Sequence, residues 1–182
     1  DYKIALKAIR NGIDGIRLNP GNITNRKHIE LIARECSDRK IPIRVGVNSG
    51  SLHRKYDKIT PENLFLSAMS EIKILEEIGF FDIKVSIKAS SVKMTVLANK
   101  LMAKARDYPL HLGVTEAGLY EDAAIKSAMG IGALLLEDIG DTIRVSITGR
   151  PHDEVIIGKK ILQFAGLLNE GIEIISCPTC GR

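Results

Sequence analysis

The sequence predicts an α/β fold of repeated parallel strand–helix units, a partial (β/α)8 (TIM) barrel. Three observations carry this. Five short stretches alternate apolar with polar residues, the period-two signature of a strand with two unlike faces. Each is followed by a segment of helical periodicity, so the strands are expected to be parallel and covered by helices. The polar faces are charged: they hold Arg17, Arg44, Lys84, Lys88 and Arg144, with Asn19, Asn48, Ser86, His111, Thr115 and Ser146. An open doubly wound sheet is covered on both sides and would be apolar on both. A barrel's inner face turns polar at the C-terminal mouth, where ligands bind.

The elements follow in order. The chain opens on the helical pattern Ile4, Leu6, Ala8, Ile9, and the first strand is Ile16 to Asn19, closed by the turn Pro20-Gly21. A helix is expected from Thr24 to Asp38, with Ile29, Ile32, Ala33 and Cys36 on one face. The second strand, Ile43 to Asn48, ends in Ser49-Gly50-Ser51, and the basic loop His53-Arg54-Lys55 leads on. Thr60 and Pro61 read as the N-cap and first residue of a helix that Gly79 stops. The third strand, Lys84 to Lys88, runs into Ser90-Ser91, which cap a helix from Val92 to Arg106. The fourth strand is Leu110 to Glu116, followed by a helix through Ile125 and Met129. The fifth is Ile143 to Ile147, followed by a helix from His152 to Leu168. A sixth short strand is expected over Ile172 to Ser176, leading to Cys177-Pro178-Thr179-Cys180.

The composition limits the function. With 182 residues, 45% hydrophobic and 26% charged, the chain fits one globular domain with a substantial core. The net charge of +4 is spread out, and no Lys/Arg run interleaved with aromatics points to nucleic acid. No apolar stretch is long enough to span a membrane, and the N-terminus shows no signal peptide, so a cytoplasmic location is expected. The chain lacks an initial Met and stops abruptly at Cys180-Gly181-Arg182, so it reads as a fragment. Eight strands close such a barrel. Five are present, and three are expected to precede Asp1.

The charge at the mouth carries the chemistry. Arg17, Arg44, Lys88 and Arg144 come from four strands, Asn19, Asn48, Thr115 and Ser146 add hydrogen-bonding groups, and Glu116 is the one acid among them. Converging cations fit a phosphate or diphosphate, since guanidinium forks match phosphate oxygens and helix N-termini add backbone donors. The competing reading is that each cation snorkels to solvent from a strand end. Lys84 and His111 lie deeper, where packing or an inner acid would account for them. Glu116 reads either as a proton donor or acceptor, or as a charge partner of Lys88 or Arg144. Cys177 and Cys180 form a Cys-x-x-Cys pair that suits half of a metal or cluster site, a redox dithiol or half of a zinc site. Cys36 falls on a helix face that reads as core.

Six stretches, taken in order, resemble one family. They are Arg17-Leu18-Asn19-Pro20-Gly21-Asn22, Arg44 to Leu52, Lys84 to Ser90, Pro109 to Gly118, Gly140 to Ser146, and Cys177-Pro178-Thr179-Cys180. The resemblance is to the GcpE family of 4-hydroxy-3-methylbut-2-enyl diphosphate synthases. It implies a TIM barrel, residues 1–170 here, and the start of a C-terminal iron–sulfur domain, residues 171–182. It implies an oxidoreductase of the non-mevalonate (MEP) isoprenoid pathway. The reaction is a two-electron reductive ring opening and dehydration of 2-C-methyl-D-erythritol 2,4-cyclodiphosphate. By resemblance, Arg17, Asn19, Arg44, Asn48, Lys88, Arg144 and Ser146 bind substrate, and Thr115 and Glu116 sit by the reacting carbons, with Glu116 the proton donor. Cys177 and Cys180 would be two ligands of a 4Fe–4S cluster whose third cysteine and glutamate ligands are absent here. So are the first three barrel strands and their phosphate-binding arginine. Flavodoxin or ferredoxin would supply electrons, and the parent protein would be a homodimer.

Two alternatives are a pteridine-binding barrel resembling dihydropteroate synthase and a non-catalytic anion-binding module with a zinc end. The first needs acids to read a pterin, where four cations and one acid stand here. Iron with acid-labile sulfide in the full-length protein separates the synthase from the zinc module. Reconstituting the 182-residue chain with iron and sulfide is expected to give little or no cubane absorption. A full-occupancy 4Fe–4S spectrum on this chain contradicts that expectation.

Overall fold

The apolar face of each strand decides the layering. The computed structural model describes residues 1–19, 23, 25–52 and 56–170. Their elements are α1 (Tyr2–Arg10), β1 (Ile16–Leu18), α2 (Arg26–Arg39), β2 (Ile43–Asn48), α3 (Pro61–Glu77), β3 (Ile83–Lys88), α4 (Val92–Ala105), β4 (His111–Leu112), α5 (Tyr120–Leu135), β5 (Thr142–Ile143) and α6 (Pro151–Phe164). Every strand but the last is followed by its helix and then by a parallel neighbour, which is the βα repeat.

Hydrogen-bonding side chains start the helices where the sequence places them. Thr60 Oγ1 accepts from the Asn63 amide at 3.1 Å, with Pro61 as first residue, and Ser91 Oγ accepts from the Met94 amide at 3.3 Å. Asn25 caps α2 through the Lys27 amide at 3.0 Å, so that helix begins two residues later than expected. Helix α5 runs on to Leu135, through Gly130 and Gly132.

Strands β1, β2 and β3 form one parallel sheet, and β4 and β5 a second. The two are joined by a bridge between Val85 and Leu110, and the Val85 amide donates to Pro109 O at 2.8 Å. Asp141 locks the second pair by accepting from the Leu110 amide at 2.7 Å. The outward residues Ile43, Val45, Val47, Ile83, Val85 and Ile87 are at most 2% exposed and belong to the same core as Ile29, Ile32, Leu64, Ile72, Ala98 and Met102. Each large aliphatic buried this way contributes about 1.5–3 kcal/mol. Cys36 is fully buried in this core, as its helix face implied.

Two strands are shorter than their alternation. β4 covers His111–Leu112 rather than continuing to Glu116, and β5 covers Thr142–Ile143 rather than reaching Ile147. The reason is competition for backbone groups. The Thr115 amide still donates to Ala89 O, just past β3, at 3.2 Å and keeps this segment on β3, while the Ile147 amide is taken by Glu154 Oε1 of α6 at 2.9 Å, which interrupts pairing on the β5 side. The two segments meet again beyond this interruption, where the Thr148 amide donates to Gly118 O at 2.9 Å. The expected sixth strand, the Pro20-Gly21 turn and the loop His53-Arg54-Lys55 lie outside the described residues. No helix among the described residues is long and apolar enough to cross a membrane.

Two buried polar residues of α4 hold the end of β3. Thr95 Oγ1 accepts from the Ala89 amide at 3.0 Å and donates to Ala89 O at 3.1 Å. Asn99 Nδ2 donates to Ile87 O at 2.8 Å. These bonds bracket Lys88. Thr95→Val strips the buried Ala89 amide of its acceptor and is expected to cost about 1–3 kcal/mol in urea unfolding. A midpoint and slope equal to the parent's would contradict this role.

Candidate functional site

Register brings the inward cations together. Arg17 pairs with Arg44 and Arg44 with Lys84, so the three stand level across β1, β2 and β3. Two residues further toward the mouth than Gly46 and Ser86, Asn48 pairs with Lys88. Arg144 follows β5, its amide donating to Leu112 O at 2.9 Å, which continues the pairing one step past the strand. The side chains converge on a polar cavity of about 110 Å³ lined by Arg17, Arg44, Val47, Asn48, Ser86, Lys88, His111, Thr115 and Arg144. A second hollow of about 250 Å³ lies against Arg17 and Arg44 and is lined also by Gly15, Ile16, Pro42 and Lys84.

Two glycines make the convergence possible. A Cβ on Gly46 would stand 2.0 Å from Arg17 Nε, so the guanidinium lies across bare backbone, and its Nη2 donates to Gly46 O at 3.0 Å. A Cβ on Gly113 would meet Arg144 O at 2.4 Å and Lys88 Nζ at 2.9 Å. Side chains at these two positions would push the cations out of the cleft.

Among the described residues, Arg17, Arg44, Lys84, Lys88 and Arg144 form no ion pair with an acid, although surface pairs such as Arg26–Glu77 and Arg106–Glu76 are plentiful elsewhere. The consequence is electrostatic. Burial, then Arg144, Arg44 and Arg17, push the Lys88 ammonium from its ordinary 10.5 down to about 7. Burial first, then Arg44 and Arg144, also lowers Arg17, and burial with Arg144 lowers Arg44. His111 is brought down to about 4 by burial and then by Lys88, Arg44, Arg144 and Lys84. The face is open to solvent: Arg17, Lys84 and Arg144 are exposed, because no strand covers the open side of the sheet among the described residues.

Six of the residues singled out from sequence thus line the cavity: Arg17, Arg44, Asn48, Lys88, Thr115 and Arg144. Asn19 and Ser146 are half-buried near it without lining it. Glu116 is exposed, outside the lining, and holds a left-handed backbone with φ of 54°, which costs a non-glycine residue roughly 1 kcal/mol. Such strain next to a binding cleft marks a backbone held in place by its surroundings. Sequence reasoning set His111 aside, yet it lines the cavity, with Nδ1 2.8 Å from Thr142 Oγ1. Its partner is a cross-strand neighbour, which only register could have revealed. Lys84 has no inner acid among the described residues and faces the second hollow. Cys177 and Cys180 lie outside the described residues.

Residues 1–159 match the GcpE TIM-barrel domain. The chain belongs to the GcpE family. Curated members resemble it along its whole length. The protein from Caldanaerobacter subterraneus subsp. tengcongensis is 54% identical over 100% of this chain and 52% of its own. That from Clostridium perfringens is 54% identical over 100% and 53%, and that from Geobacter sulfurreducens 52% identical over 100% and 53%. Each is named 4-hydroxy-3-methylbut-2-en-1-yl diphosphate synthase (flavodoxin). The chain spans about half the length of these GcpE relatives. Among solved structures, it resembles a type I 3-dehydroquinate dehydratase from Clostridium difficile with a TM-score of 0.56 at 11% identity, over 92% of this chain and 61% of that one. It also resembles the carboxyl transferase domain of Rhizobium etli pyruvate carboxylase with a TM-score of 0.52 at 14% identity, over 78% and 23%. These two likenesses concern the fold alone.

Lys88 gives this site a pH signature. Between pH 7 and 10.5 the unfolded chain keeps the Lys88 proton while the folded chain has lost it. Its contribution to stability is therefore most unfavourable below pH 7 and improves as pH rises through that window. Lys88→Met is expected to flatten this rise in denaturation midpoints measured across the window. A variant curve parallel to the parent's contradicts the assignment.

Proposed function

We propose that this chain forms the substrate-binding mouth of a 4-hydroxy-3-methylbut-2-enyl diphosphate synthase. The observation that carries the proposal is the cleft where Arg17, Arg44, Lys88 and Arg144 converge with no acid paired to them among the described residues. A doubly charged cyclic diphosphate supplies the missing countercharge. Membership of the GcpE family and the shared name of the relatives support this choice of anion over other phosphates.

In this reading the substrate is 2-C-methyl-D-erythritol 2,4-cyclodiphosphate. Arg17, Arg44, Lys88 and Arg144 hold its phosphoryl oxygens through charge-assisted hydrogen bonds. Asn19, Asn48 and Ser146 add neutral contacts at the rim. Thr115 orients the carbon chain, and Glu116 donates the proton that dehydration requires. Residues 1–170 make up the barrel part and residues 171–182 begin the iron–sulfur domain. Cys177 and Cys180 would give two thiolates to a 4Fe–4S cluster, which when bound would relay the donor's two electrons to the substrate one at a time. The described residues contain no group of three His, Cys, Asp or Glu able to hold a metal, and Cys36 is buried with its thiol pushed up to about 11. The barrel's own part is therefore to bind, neutralise and orient the diphosphate. Flavodoxin is the electron donor of this reading, the site of action is the cytoplasm, and the working protein is a homodimer.

Calorimetric titration of the full-length protein with the cyclodiphosphate tests the reading. Arg44→Ala is expected to weaken binding about ten- to a hundredfold, the loss of roughly 1.5–3 kcal/mol for a charge-assisted contact. Glu116→Gln is expected to bind normally and to lose turnover by about a hundredfold or more. Unchanged affinity in Arg44→Ala would remove the cleft from the binding site.

A further inference from the structure

We propose that His111 is a further anion ligand of this cleft, presenting an uncharged Nε2–H, and that Thr142 is the positioning residue that holds its ring. The inference rests on the cleft being the anion site. Strand β4 lies between β3, which brings Lys88, and the β5 segment, which brings Arg144. It contributes no cation of its own to the cavity, only His111, Gly113 opposite Lys88, and Thr115. His111 therefore stands in the middle of the cationic arc.

One side of the ring is already committed. Nδ1 lies 2.8 Å from Thr142 Oγ1, and the two residues are register partners across β4 and β5. Among the described residues that leaves Nε2 as the nitrogen without a hydrogen-bond partner, on a ring that lines the cavity. A backbone carbonyl or carboxylate at Nδ1 would hold the proton there. A hydroxyl can donate instead, which lets Nδ1 accept and places the proton on Nε2.

The neighbours explain why a neutral donor suits this place. The charged groups acting on the ring are Lys88, Arg44, Arg144 and Lys84, all cations, and together with burial they keep the imidazole neutral down to about pH 4. A further full charge would add to the repulsion in the empty cleft. A neutral N–H adds a directed contact to the anion without that cost.

The test uses the full-length protein with 15N-labelled histidine rings, saturated with the cyclodiphosphate at pH 8. The His111 ring is expected as the Nε2–H tautomer, and Thr142→Val is expected to give a mixture of tautomers. An Nδ1–H ring or a doubly protonated ring in the loaded parent overturns the proposal. Affinity gives a second readout. His111→Leu is expected to bind about tenfold more weakly, while His111→Gln, whose amide N–H reaches toward the Nε2 position, is expected to recover most of that loss. Equal losses in the two variants would mean packing alone and would overturn the assignment. If Arg44→Ala weakens binding and His111→Leu does not, only this inference falls. If neither weakens it, the reading of the cleft falls as well.

Discussion

Like charges gathered with no acid paired to them among the described residues are the constraint around which this partial barrel is built. Arg17, Arg44, Lys88 and Arg144 come from different strand ends, and each is lowered by burial, by its neighbours or is itself the neighbour that lowers the others. The drop in Lys88 from 10.5 to about 7 corresponds to about 5 kcal/mol against its charged form. Such an arrangement persists only because something stronger holds the backbone beneath it. Here that is the aliphatic layer between β2, β3 and helices α2 to α4, together with the bonds of Thr95 and Asn99 around Lys88. The core stabilises the sheet, and the sheet holds the cations in a geometry they would not adopt alone. An anion entering the cleft relieves the repulsion, so binding draws on strain that folding has already stored.

The same view explains the local details. Gly46 and Gly113 are bare so that a guanidinium and an ammonium can cross the backbone. The Ile147 amide leaves strand pairing for Glu154, which interrupts the ladder between the β4 and β5 segments, while Thr115 stays tied to Ala89 O at the end of β3. Below the interruption, Asp141 ties Leu110 to the next strand.

Much of this was legible in the sequence because it depends on periods of two and 3.6. Alternation separated Val45 and Val85 from Arg44 and Lys84, and the caps at Thr60 and Ser91 were correctly placed by residue type alone. What depends on contacts between distant residues was not legible. His111 was undervalued because its meaning comes from Thr142, 31 positions later in the chain. The lengths of β4 and β5 were overestimated because alternation continues after the backbone has found other partners. Arg17 and Arg144 stand exposed on the inner face, since enclosure is a property of the closed barrel rather than of any one strand. Glu116 was identified by its charge and by the family resemblance, and its left-handed backbone leaves no trace in the residue type.

The central claim is that the cleft is a set of cations waiting for an anion, with Lys88 only partly charged until the anion arrives. The most direct measurement is the number of protons taken up when the full-length protein binds the cyclodiphosphate at pH 8, from calorimetry in buffers of different ionisation enthalpy. Each phosphoryl group of that ligand has one ester link, one anhydride link and a single strongly acidic oxygen, so both stay fully ionised at this pH and any uptake comes from the protein. The account expects net proton uptake in the parent and its loss in Lys88→Met. Binding without uptake, or equal uptake in the two proteins, would contradict it.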